Sequence, residues 1–189
     1  VPRFNSLGSW NLDSKTGEWK VAADNNYVKN ASFEADRKYI PSPVKPVQQQ
    51  LTGWVTEVIE GNKISLDSNS SPVLNHYNTE SERKIVTGEK SLAISDKVNF
   101  KRKVSQVITS TPFVKLENGV YTLFAKVRNS SGFARLEMFA NSNGKTQSFS
   151  VKEEIVNWNT IRIENIPIKN GKAEIGFIAD GAAGSAAAA

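Results

Sequence analysis

The stretch "VYTLFAKVRNSSGFARLEMFA", residues 120–140, decides the fold. Its side chains alternate with period two on either side of a polar break, which is the period of a β-strand and not of a helix. In 120–128 the apolar set is Tyr121, Leu123, Ala125 and Val127, and Thr122, Phe124, Lys126 and Arg128 fall on the other face. In 134–140, Leu136, Met138 and Ala140 point inward, and Arg135, Glu137 and Phe139 point out. The break "NSSG" (129–132) suits a turn. Read as adjacent strands of one hairpin, the two runs present Phe124, Arg128, Arg135, Glu137 and Phe139 together on their non-core face. Aromatics beside charges on an open sheet suggest a ligand platform. Cover by another layer, loop or domain is the equal alternative.

The same rhythm extends in both directions. Strand-like runs occupy 145–151, 160–168 and 172–179, and earlier 53–60, 62–67, 90–95 and 102–108, with Gly, Asn or Ser at the breaks between the later ones. Short strands at roughly ten-residue spacing mean an antiparallel sandwich or barrel rather than a βαβ fold. No window gives an amphipathic helix, so the expected class is all-β, an antiparallel β-sandwich. Residues 9–21 read as a small hairpin, with Trp10 and Trp19 flanking a "KTG" turn, before the polar linker 22–26. The expected division is therefore an N-terminal hairpin and linker from an upstream domain (1–26), a sandwich (27–184), and an unassigned tail (185–189). The tail "DGAAGSAAAA" (180–189) has no strand pattern, and its four terminal alanines suit a tag or a stretch of unassigned side chains.

A chain of 189 residues is one domain, or one domain and an appendage. It buries roughly 70% of the surface its unfolded form exposes, enough for a core without staples. The absence of cysteine excludes disulfides and thiolate metal sites. No run of 18 apolar residues occurs, so no membrane-spanning helix is expected. The N-terminus lacks an apolar signal core, so the fragment reads as starting after any signal or upstream domain. The net charge of +5 is spread along the chain. Its densest basic run, "KVNFKRK" (97–103), reads as a solvated strand face rather than a nucleic-acid surface.

Catalytic templates mostly fail. A single histidine, His76, and no cysteine rule out a His-rich zinc site and a Cys nucleophile. Neither a G-x-S-x-G elbow nor a phosphate-cradling glycine loop occurs. The 19 acids lie mainly in turns and at strand ends, which speaks against a paired-carboxylate glycosidase. The loop-like stretch "SPVLNHYNTESERK" (71–84) offers Asn75, His76, Tyr77, Asn78 and Arg83. These supply donors, acceptors and a stacking face of the kind a sugar ring needs. An ordinary long loop is the plainer reading. Trp54 and Trp158 read as packed under the sandwich rather than offered to a ligand. "YVKNASFEADR" (27–37) alternates into Glu34, which suits an opening strand with Val28 and Phe33 at the core or its edge.

Several motifs in order carry a resemblance. "NASFE" (30–34), "GW" (53–54), "GEKSLAIS" (88–95), "VSQVI" with "ENGVYTLFAKVR" (104–128), "NWNTIRI" (157–163) and "AEIGFIADGAAG" (173–184) resemble bacterial carbohydrate-binding modules with a galactose-binding-like jelly roll. The likeness implies a non-catalytic, secreted, periplasmic or cell-surface module that targets a tethered glycoside hydrolase or polysaccharide lyase to its polysaccharide. The upstream catalytic domain would lie in the same chain. Family members commonly end on a "V-D-D-V" strand whose acid joins the opening-strand Glu at a structural calcium. That implies Glu34 as a calcium ligand, although the closing strand is not legible here. The basic balance favours an acidic plant glycan such as a pectin. Two alternatives stay open: a structural sandwich packed on a neighbouring hydrolase domain, and a stand-alone hydrolase or lyase.

Overall fold

A computed structural model describes residues 10–12, 19–21, 26–36, 51–62, 73–86, 88–110 and 115–189. Its strands are β1 (Trp10–Leu12), β2 (Trp19–Val21), β3 (Val55–Glu60), β4 (Val73–Tyr77), β5 (Lys90–Ser95), β6 (Phe100–Thr109), β7 (Gly119–Asn129), β8 (Phe133–Ser142), β9 (Lys145–Ser150), β10 (Ile155–Ile168), β11 (Lys172–Gly181) and β12 (Ala186–Ala188). The expected N-terminal hairpin forms as the antiparallel pair β1–β2. The other ten strands make two five-stranded antiparallel sheets, ordered β10-β7-β12-β5-β4 and β3-β6-β11-β8-β9. Inward positions of both sheets close on one core that includes Leu92, Phe100, Val104, Met138, Ala140 and Ala179. The expected strand 62–67 falls mostly outside the described residues.

The alternation in 120–140 assigns the faces correctly, but β7 and β8 are not neighbours. The former pairs with β10 and β12, and the latter with β11 and β9. The link at 130–132 crosses between sheets instead of turning back within one. Gly132 has φ +94, and a Cβ there would run into the Ser185 hydroxyl, so the crossing needs glycine. Phe124 and Arg128 are thus on one outer surface of the sandwich, and Arg135, Glu137 and Phe139 on the opposite one. The shared platform expected from the sequence does not exist.

Three further segments depart from expectation. Residues 26–36 form turns and a 3-10 turn at Glu34–Asp36 rather than a strand. Asn30 and Phe33 hold left-handed φ values of 48 and 58, outside the range of a regular strand. Asn30 organises the segment: its side chain accepts from the Ala35 N–H (3.0 Å) and donates to the Thr52 carbonyl (2.8 Å). Phe33 packs on Trp54, with ring centroids 5.5 Å apart, and the Trp54 indole donates to the Asn30 carbonyl. The polar-looking 73–77 is the edge strand β4, paired with β5. The alanine tail supplies β12, inserted between β5 and β7, with Leu92 and Ala189 exchanging both backbone hydrogen bonds.

One buried ion pair joins the loops at an end of the sandwich. Arg102 Nη2 lies 2.6 Å from Asp96 Oδ2, with side chains 0% and 1% exposed. Arg102 also donates to the carbonyls of Glu60, Asn62 and Lys101. Burial pushes the Asp96 carboxyl up. Hydrogen bonds from the Asn62 backbone and side chain, and from the Lys97 and Val98 N–H groups, outweigh it and hold the group below its ordinary value. Because the folded value is depressed, the stabilisation is complete above the unfolded value of about 3.9 and is lost as pH falls through the folded one. Urea unfolding as a function of pH should show that acid-side loss for the parent chain and a smaller one for Asp96→Asn, with the depressed Glu137 carboxyl still contributing. At neutral pH this variant should be less stable by about 3–5 kcal/mol, because it leaves a buried guanidinium without its counter-ion.

Candidate functional site

The outer face of the β10-β7-β12-β5-β4 sheet carries exposed aromatic, cationic and hydroxyl side chains. Alternation along β7 turns Thr122, Phe124, Lys126 and Arg128 outward, while Val127 enters the core. Along β10, Ile161 and Ile163 go inward and Thr160 and Arg162 outward. Register places Arg162 opposite Phe124 and Thr160 opposite Lys126. Phe124 is 65% exposed, and the Arg162 guanidinium carbon lies 5.9 Å from its ring centroid. Next along the strip, Arg128 lies over Trp158 at 5.2 Å. Trp158 is therefore on the outer face and half-buried, not beneath the sandwich as its sequence context suggests.

Glu82 closes that end of the strip. Its Oε1 sits 2.8 Å from Arg128 Nη2 and accepts from the Trp158 indole at 3.1 Å. Its Oε2 accepts from the Thr79 N–H at 2.7 Å, and Thr79 Oγ1 accepts from the Glu82 N–H at 3.3 Å. This is a reciprocal capping box, legible in the sequence as "TESE" (79–82). One carboxylate thus caps its own turn and fastens the 78–86 loop to β7 and β10.

The residues expected in that loop have different fates. Asn78 is buried and fully committed: its amide donates to the carbonyls of Gly88 (3.2 Å) and Lys90 (3.1 Å), and its Oδ1 accepts from Ser91 Oγ. It pins the loop and is closed to a ligand. Arg83 is exposed and donates from Nε to the Asn78 carbonyl. The backbone of Asn75, His76 and Tyr77 lies in β4, opposite Leu92, Ser91 and Lys90. The side chains of these three residues lie outside the described residues.

On the opposite sheet, Arg135 and Glu137 pair with each other at 2.8 Å, and Ser150 Oγ donates to Glu137. The hydrogen bond from Arg135 is the main reason the Glu137 carboxyl lies below its ordinary value. Phe139 is 4% exposed, beside Gly176 in register and under Lys103, whose Nζ is 5.6 Å from the ring centroid. It cannot stack a ligand. Glu34 Oε1 accepts the N–H groups of Glu89 (2.7 Å) and Lys90 (2.8 Å), tying 30–36 to the start of β5. Calcium takes six to eight oxygens. Among the described residues no group of three or more acidic or histidine side chains gathers, so partners for a cation at Glu34 would have to be mainly carbonyls.

Removing the Glu82 carboxylate leaves the Arg128 and Trp158 donors without their acceptor. Glu82→Ala should lower stability by about 1–3 kcal/mol in thermal melts and shift the Trp158 indole proton resonance.

No protein-family model matches this chain, and no curated protein matches its sequence. Among solved structures, TmCBM61, a carbohydrate-binding module in complex with beta-1,4-galactotriose, superposes with a TM-score of 0.60 at 19% identity. The match covers 87% of this chain and 94% of that one. The enzymatically active domain of bacteriophage CBA120 tailspike protein 4 matches with a TM-score of 0.56 at 14% identity, over 89% of this chain but 21% of that one. Both likenesses are likenesses of fold: the two-sheet antiparallel β-sandwich is one that a carbohydrate-binding module and a tailspike domain also adopt.

Proposed function

We propose that this chain is a non-catalytic glycan-binding module, using the outer face of the β10-β7-β12-β5-β4 sheet. The observation that carries the proposal is the open Phe124 ring, flanked by Arg162, Lys126 and Thr160. A pyranose has an apolar C–H face and a rim of hydroxyls, and such a strip meets both, the ring by stacking and the rim by hydrogen bonds. The fold shared with a module crystallised on a galactotriose supports the reading. In this role the module is part of a secreted or cell-surface bacterial protein and holds a catalytic domain of the same chain on its polysaccharide. The gain is one of effective concentration, not chemistry. We further propose that Glu34 binds a structural calcium with carbonyl partners, as the sequence resemblance implies.

A structural sandwich packed on a neighbouring domain is the competing reading, and it draws on the exposed Val120, Phe124 and Val156. Affinity gels containing a panel of soluble polysaccharides separate the two. Retardation in at least one gel, without release of reducing ends, is the expected result. Phe124→Ala should weaken that binding roughly tenfold, the worth of about 1.4 kcal/mol. No retardation across the panel would favour the packing reading. Chelation should lower the melting temperature of the parent chain and leave that of Glu34→Gln unchanged. Equal melts with and without chelator would remove calcium from the account.

A further inference from the structure

The geometry points to an anionic sugar, recognised through its carboxylate by Arg162 with Lys126 in support. This inference rests on the glycan-binding reading of the same face and names the class of sugar. The starting observation is the partnering of the arginines. Arg102 is bound to Asp96, Arg128 to Glu82 and Arg135 to Glu137, and Arg83 donates to the Asn78 carbonyl. Arg162 is the one described arginine with no oxygen partner, its recorded contact being the Phe124 ring. Lys126 on the same face likewise has no acidic partner among the described residues. Glu82, the acid at the end of the strip, is committed to Arg128, Trp158 and Thr79. Glu164, two residues beyond Arg162 on β10, forms no ion pair with it.

Spacing makes these groups one site. Directly opposed residues on a sheet face have Cβ atoms about 5 Å apart, and successive outward residues of one strand stand roughly 7 Å apart. Phe124, Arg162, Lys126 and Thr160 therefore frame a patch the size of about one sugar ring. The Arg162 guanidinium carbon, 5.9 Å from the Phe124 centroid, is near the outer limit of a cation–π contact, close enough to reach a group on a sugar that rests on the ring. The guanidinium N–H fork matches the two oxygens of a carboxylate. A sugar resting on Phe124 would bring a C5 carboxylate to the guanidinium, with Lys126 adding charge and Thr160 a hydroxyl. A sulfate ester can also offer two oxygens to the fork, so a sulfated galactan is needed in the test to separate it from a uronate.

The test uses the full chain and calorimetry with trimers of α-1,4-galacturonate and β-1,4-mannuronate, each compared with its carboxyl-reduced neutral form. A sulfated galactan and neutral β-1,4-galactotriose serve as controls. At least one uronate trimer is expected to bind tenfold or more tightly than its reduced form, with the preference shrinking at high salt. Arg162→Gln should bring acid and neutral forms to about equal affinity, and Arg162→Lys should recover only part of the preference, since a point charge cannot replace the fork. Phe124→Ala should weaken both forms alike. Equal binding of acid and reduced forms by the parent chain would overturn the uronate assignment while leaving the glycan reading intact. A preference for the sulfated galactan alone would also overturn it. No binding of any saccharide, here and across the polysaccharide panel, would remove the glycan reading itself.

Discussion

The Arg102–Asp96 pair is the joint on which the continuity of the β10-β7-β12-β5-β4 sheet depends. Both side chains are withdrawn from water, where an unpaired charge would be strongly unfavourable. Pairing fixes the 96–99 loop against 60–62 and the start of β6. That loop in turn receives the turn before the last strand: the Asp96 carbonyl accepts from the Gly184 N–H, and Asn99 Oδ1 accepts from the Ala183 N–H. The turn delivers β12 between β5 and β7. Without it, β7 would lose its hydrogen-bonded link to β5, leaving the Glu82 contacts with Arg128 and Trp158 to tie the 78–86 loop to β7 and β10. A buried ion pair is often no more stabilising than an apolar replacement, so its value here is in fixing one arrangement of loops.

The two outer faces of the sandwich handle charge differently. On the β3-β6-β11-β8-β9 sheet, Lys103 bridges Glu57 and Glu174, Lys101 bridges Glu60 and Asp180, and Arg135 meets Glu137. Partly exposed pairs of this kind contribute little stability each, about 0–1 kcal/mol. Their effect is to neutralise the face locally and keep it solvated. On the other face Glu82 answers Arg128, and Arg162 and Lys126 stand beside an exposed aromatic ring.

Much of the fold was legible in the sequence because period-two alternation reports directly on burial. It placed the inward side chains of β7 and β8 correctly, and it bounded β5 to the residue. It could not say which sheet a strand joins, since that depends on whether "NSSG" turns back or crosses over, and both use the same residue types. It misread 27–34 because a few alternating residues cannot be told from a turn whose Asn30 and Phe33 take left-handed backbone. The alanine strand carries no side-chain pattern at all and is placed by backbone hydrogen bonds. Of the site, Phe124, Lys126 and Arg128 could be read from β7, and Arg162 and Thr160 were equally readable from "TIRIEN" (160–165). The capping motif that positions Glu82, "TESE" (79–82), is present in the sequence beside the more conspicuous "NHYN" (75–78).

Packing does not explain the cations at 126 and 162. Exposed positions on a sheet change stability little, typically within about ±0.5 kcal/mol, so folding leaves them open to almost any polar residue. Like charges gathered on neighbouring outward positions are mildly destabilising. The core would be equally well served by neutral residues there, as it is at Thr122 and Thr160. The chain therefore holds positive charge around Phe124 against a small folding cost, and only Arg128 has that charge answered from within. The same sandwich at 19% identity shows that the architecture tolerates wide replacement of its surface. Ligand chemistry on such a scaffold is written in the outward residues, and here they combine an apolar ring with unanswered positive charge.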